Sequence, residues 1–129
     1  MVRGRAGKAA TTLNKERPVK DWELWAISAL VKNHADPERL MTDARNATVK
    51  QTFGGSCHTI KFIRAAIPPR HTNGPIIESS YTDKDGERVE IAVYLDQYGD
   101  LYELDMYRHD GKDITSHPSE KNIEPVAFG

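Results

Sequence analysis

After Asn46 the apolar residues of this chain change period, and that change limits the fold more than any other feature. From Asp21, the residues Trp22, Trp25, Ala26, Ala29 and Leu30 recur at helical spacing, and Leu24, Ile27 and Val31 form an adjacent stripe. A helix buried around most of its circumference is predicted. Asp36-Pro37-Glu38 then reads as a helix start: Asp36 as N-cap, Pro37 where its missing N–H costs nothing, Glu38 at the positive dipole end. This second helix should end near Asn46, with Leu40, Met41 and Ala44 inward.

Beyond Asn46 the period is two. Val49, Gln51 and Phe53 alternate with polar neighbours, Gly54-Gly55-Ser56 supplies a turn, and His58, Ile60 and Phe62 alternate again, which is a hairpin pattern. Residues 67–75 are dense in Pro, Gly and Asn and read as a loop. Three more strands are predicted at 76–81, 88–95 and 101–107. Their connections, Asp83 to Gly86 and Asp96 to Gly99, each open with an acceptor side chain and close with a residue that tolerates positive φ. Helices followed by strands make an α+β domain: two N-terminal helices packed on a mainly antiparallel sheet of about five strands.

Composition fits one such domain. Of 129 residues, 38% are apolar and 29% charged, enough to bury a core without disulfides or structural metal. The single Cys57 favours a reducing compartment, so the cytoplasm is the expected location. No apolar run approaches the ~20 residues that span a bilayer, and no membrane association is expected. Residues 1–17 hold Arg3, Arg5, Lys8, Lys15 and Arg17 with little apolar content; they read as a mobile basic tail ahead of a single domain at 18–129. Charge is uneven along the chain. Residues 1–77 carry 13 Lys and Arg against 6 acids, and residues 78–129 carry 5 against 13, an asymmetry suited to a charged partner.

The last hairpin can be given a register from burial alone. With a four-residue loop, Leu95 pairs with Asp100, Val93 with Tyr102, Ile91 with Leu104 and Val89 with Met106, which makes one face apolar. The other face sets Tyr94 against Leu101, Ala92 against Glu103 and Glu90 against Asp105. Like charges directly opposite are unfavourable and call for compensation: a base such as Arg88, Arg64 or Lys61 or simple solvent screening on an exposed face, a divalent cation, or a basic protein partner anchored by Tyr94, Tyr102 or Tyr107.

Other chemical-looking signals are weak. Cys57 and His58 are adjacent strand residues whose side chains diverge, and Cys57 reads as a buried thiol. His34, His71, His109 and His117 show no metal-ligand spacing. Gly4 to Lys8 lacks the spacing and the preceding strand of a phosphate loop. The two tryptophans read as core. No catalytic residue, metal site or cofactor is expected.

The stretch Leu95-Asp96-Gln97-Tyr98-Gly99-Asp100-Leu101-Tyr102-Glu103-Leu104-Asp105-Met106-Tyr107-Arg108 resembles the closing segment of a family of small bacterial domains of unknown function. Arg17-Pro18 ahead of a helix with Glu23, and Phe53-Gly54-Gly55 ahead of Ile60-Lys61-Phe62, are similar to that family's Arg-Pro start and Gly-rich turn. Where the family's turn continues Met-Gly-Ser, this chain has Ser56-Cys57-His58. Proteins of this kind include immunity proteins encoded beside polymorphic or contact-dependent growth inhibition toxins. The resemblance implies a non-enzymatic protein that binds a cognate toxin domain, such as a nuclease, and blocks it by occlusion. Glu90, Tyr94, Glu103, Asp105 and Tyr107 are the expected contact residues. Two alternatives stay open: nucleic-acid binding through Arg3, Arg5, Lys8, Lys15, Arg17 and Lys20, and a metal-assisted hydrolase using Glu90, Glu103 and Asp105.

Overall fold

The computed structural model describes residues 13–65 and 68–125. The chain runs β1 (Glu16–Pro18), α1 (Asp21–Val31), α2 (Pro37–Asn46), β2 (Thr48–Phe53), β3 (Cys57–Phe62), β4 (Ile76–Thr82), β5 (Arg88–Leu95) and β6 (Leu101–Arg108). The strands form one antiparallel sheet in the order β1-β2-β3-β6-β5-β4. After β3 the chain crosses to the far edge and returns through β4 and β5, so that β6 closes against β3 in a Greek-key path.

The α+β class and both helices match the sequence reading, whereas the sheet has six strands instead of about five. The extra one is β1, whose Glu16, Arg17 and Pro18 pair with Lys50, Val49 and Thr48. Glu16 and Arg17 therefore belong to the sheet and not to a tail; residues 1–12 of the expected tail lie outside the described residues.

Both helices cover one face of the sheet. Ala26, Ile27, Leu30 and Val31 of α1 and Leu40, Met41 and Ala44 of α2 share a core with Val49, Ile60, Phe62, Val89, Ile91, Val93, Leu95, Leu101, Leu104 and Met106. Trp22 packs against this core, while Trp25 is half-buried. Pro37 opens α2 as expected, but the Asp36 carboxylate does not cap it. It accepts instead from Arg39 Nε at 3.1 Å, and Arg39 reaches on to Asp100.

The β5–β6 register differs from the burial-based one by two residues. Ile91 pairs with Met106, Ala92 with Asp105, Val93 with Leu104 and Tyr94 with Glu103, and the ladder then shifts so that Leu95 pairs with Leu101. Tyr102 is the extra residue of a β-bulge. The cause is the connection: Asp96 N–H donates to Asp100 O, and the Asp96 carboxylate accepts from Tyr98 N–H and Asp100 N–H, giving a five-residue loop. The bulge turns Leu101 inward with Leu104, so the buried face survives. Glu90 now stands opposite Tyr107, and the direct Glu90–Asp105 opposition does not occur.

The far edge of the sheet is partly covered. Thr82 N–H donates to Asn122 O, Glu124 N–H donates to Ser80 O, and Tyr81 bridges to Ile123. The C-terminal segment thus pairs with part of β4, which limits open-edge association.

The crossover between β3 and β4 is seated on the β5–β6 loop. Arg70 Nη1 donates to Asp96 at 2.8 Å and to Asp100 at 2.7 Å, and Gly74 N–H donates to Leu95 O. A Cβ at Gly74 would collide with the Asp96 carbonyl oxygen, which is a backbone atom and not the end of a flexible side chain. Gly74→Ala should therefore lower stability by about 1–3 kcal/mol in urea denaturation. Unchanged stability would contradict this close approach.

Candidate protein-docking face

Two polar groups of side chains carry the chemistry of this fold, one under the helices and one on the face they leave open. Under the helices, Glu23 of α1 is fully buried. Its Oε1 accepts from Arg17 Nη1 and Lys20 N–H, both at 2.8 Å, and its Oε2 accepts from Arg17 Nη2 at 2.9 Å and contacts His58 Nε2 at 2.7 Å. Gln51 accepts from Arg17 through Oε1 and donates to the Phe53 carbonyl through Nε2, which also faces His58 Nδ1 at 3.3 Å. With the amide held that way, His58 Nδ1 accepts and Nε2–H donates to Glu23. Trp22 packs tilted against His58 and stacks on His117 at 4.0 Å. Burial pushes the Glu23 carboxyl up, but the Arg17 and His58 hydrogen bonds outweigh it and hold the group down to about 2.

The outward residues of the sheet form the second group. Three rows can be read from the pairing. Lys50, Lys61, Glu103, Tyr94 and Ile76 make one; Thr59, Asp105, Ala92 and Glu78 the next; Cys57, Tyr107, Glu90 and Ser80 the third. All five residues singled out from sequence, Glu90, Tyr94, Glu103, Asp105 and Tyr107, thus lie on one open face. Four of them line a groove of about 460 Å³ over β4, β5 and β6, with Glu78 and Glu124 completing its acidic wall; Glu103 stands beside it.

The charges of this face are neutralised only in part. Thr59 Oγ1 donates to Asp105 at 2.5 Å, and His109 Nε2 meets Glu90 at 2.5 Å. Lys61 lies opposite Glu103, whereas Arg64, another expected compensator, is committed to Asp43 and the Leu101 carbonyl. Among the described residues, Glu78, Glu103, Asp105 and Glu124 form no ion pair, although Arg17, Arg39, Arg64, Arg70 and Arg108 are each paired elsewhere. Burial raises the Tyr94 hydroxyl pKa, and Asp105, Glu103 and Glu78 raise it further. Glu103 is raised by burial and by Asp105. Phe53, Ile76 and Tyr107, three of the five exposed large apolar side chains among the described residues, are on this face as well.

A family model described as a domain of unknown function, DUF6984, matches residues 16–118. The chain belongs to the DUF6984 family. The DUF6984 match begins at β1, so it takes in Arg17, Glu23, the Gly-rich turn and the open face apart from the Glu124 rim. Neither the curated proteins nor the solved structures contain a match to this chain.

Both alternative sites lose members to the structure. Arg17 is bound to buried Glu23 and cannot serve a phosphate backbone; Arg3, Arg5 and Lys8 lie outside the described residues. Among the described residues, no three His, Cys, Asp or Glu side chains converge as a metal site requires, Glu90, Glu103 and Asp105 included. Cys57 is half-buried on the open face and not a core thiol, and no helix is long and apolar enough to cross a membrane. Sequence reasoning missed Glu78, and it set Ala92 on the outward face without giving it a part in the site. The signal was available: Glu78 and Ser80 alternate on β4 as Glu90 and Ala92 do on β5.

Because the folded Glu23 carboxyl lies below its ordinary 4.5, its stabilisation is present above about pH 4.5 and is lost as pH falls toward 2. Glu23→Gln should cost about 3 kcal/mol at pH 7 in urea denaturation. The gap to the parent chain should shrink as pH approaches 2. A constant gap would contradict the ion pair.

Proposed function

We propose that this protein is a non-catalytic inhibitor that docks its open sheet face on a basic surface of a cognate bacterial toxin domain and holds it inactive by occlusion. One observation carries the reading. A face with three exposed large apolar side chains also carries four carboxylates that form no ion pair among the described residues, while the paired arginines serve other acids. An arrangement of this kind fits a protein interface, where aromatic anchors supply contact area and charge steers the encounter. The resemblance to immunity proteins supplies the class of partner, and the cytoplasm of the producing cell is where such an inhibitor would act.

The variants that test the reading follow from the register. Asp105 holds the buried Thr59 hydroxyl and Glu103 faces Lys61, so reversing either disturbs the sheet itself. Glu78 and Glu90 are exposed and free of such duties to the core. Glu78→Lys with Glu90→Lys should change stability by no more than about 0.5 kcal/mol per site. Binding to the toxin domain encoded immediately upstream, measured by calorimetry, should weaken by well over about tenfold, and co-expression should no longer protect cells. Wild-type affinity and protection would overturn the reading, as would the absence of any upstream toxin domain that binds.

A further inference from the structure

The groove on the open face has a floor as well as a rim. Ala92 lies at its centre: Asp105 of β6 and Glu78 of β4 flank it in the same row, and Glu90 and Tyr94 precede and follow it by two on β5. Flanking strands lie about 4.8 Å to either side, and same-face neighbours on one strand lie about 6.8 Å away. A methyl group therefore sits inside a ring of larger side chains, three of them carboxylates and one a tyrosine. Tyr107 borders the ring at a diagonal position beside Glu90. Arg88, the one base among the described residues that line the groove, stands two residues beyond Glu90 and opposite Thr82, at the end away from Tyr94.

We propose that this depression is a socket for a single arginine side chain of the partner protein, inserted over Ala92 between Tyr94 and Tyr107. The assignment rests on the docking reading above and names its recognition element. Three features select the occupant. Carboxylates on opposite sides of the floor match the forked donors of a guanidinium, which can bond to two acceptors at once where a lysine ammonium acts as a point charge. Tyr94 and Tyr107 line the groove, and aromatic rings are what a planar cation stacks on. Among the described residues the carboxylates of Glu78 and Asp105 make no ion pair, Asp105 holding only the Thr59 hydroxyl, and Glu90 meets only the exposed His109, so an incoming cation finds acceptors not already committed to an arginine or lysine. The apolar Phe53 and Ile76, exposed on the same face, mark it as a contact surface for a protein and not for a free ion.

The full chain, labelled with nitrogen-15, can be titrated with N-acetyl-arginine methylamide, with the isosteric but neutral citrulline compound as control. The arginine probe should produce saturable amide shifts centred on Glu90, Ala92 and Tyr94, and the citrulline probe none. Ala92→Leu fills the socket without altering charge and should weaken the probe and the toxin domain by about tenfold or more, while Ala92→Ser, which keeps the space, should bind both as the parent does. Equal shifts from citrulline, or full probe binding by Ala92→Leu, would overturn the socket. If Ala92→Leu binds the toxin domain normally while Glu78→Lys with Glu90→Lys does not, the socket fails and the docking face stands. If the probe binds in an Ala92-dependent way and the charge reversals leave protection intact, the socket stands and the toxin reading fails.

Discussion

The buried carboxylate of Glu23 is the interaction on which the arrangement of layers depends. A charge taken wholly out of water is tolerated only when its lone pairs are filled, and here a bidentate arginine, a backbone N–H and an imidazole fill them. Those partners come from β1, from the residue leading into α1, and from β3. One side chain thus ties the first helix to one half of the sheet, and it does so on the face the helices cover. The opposite face of the sheet carries no helix among the described residues.

A second buried charge closes the other end. Arg108, almost completely buried, contacts Asp83, Asp85 and Asp110, and Asp83 in turn accepts from Thr115 and Ser116. The β4–β5 connection, the end of β6 and the segment after it are joined through this one guanidinium. Arg70 and Arg64 act similarly at the crossover and at α2. Arginine is suited to such duty because its planar fork satisfies two carboxylates with fixed geometry. The consequence for function is indirect: among the described residues these arginines are engaged away from the acidic face, beside which only Lys61 and Arg88 stand.

Much of this was legible in the sequence, for a reason that also explains the main error. Period-two alternation assigns faces, so Glu90, Tyr94, Glu103, Asp105 and Tyr107 were placed together on the open side even though the register was off by two. A shift of two keeps every side chain on its face. What it changes is who stands opposite whom, and that removed the supposed Glu90–Asp105 clash. The bulge behind the shift had a signature, since Leu101 and Leu104 are both apolar at an odd spacing that simple alternation forbids. Other features had no local signal. The pairing of Arg17 with Glu23 and His58 joins three elements, and β1 is only three residues long, too short for any periodicity. Arg108 sits at the inward parity of Leu104 and Met106, yet only the nearby Asp83, Asp85 and Asp110 make its burial feasible.

The central claim is that the acids of the open face serve recognition while the buried acids serve the fold. The direct test is hydrogen–deuterium exchange of the chain alone and in complex with the proposed toxin domain. New protection should be confined to β4, β5 and β6, at residues 76–82, 90–94 and 103–107, with no change in α1 or α2. New protection on the helices or on the 68–75 crossover, with the open face exchanging as before, would contradict it.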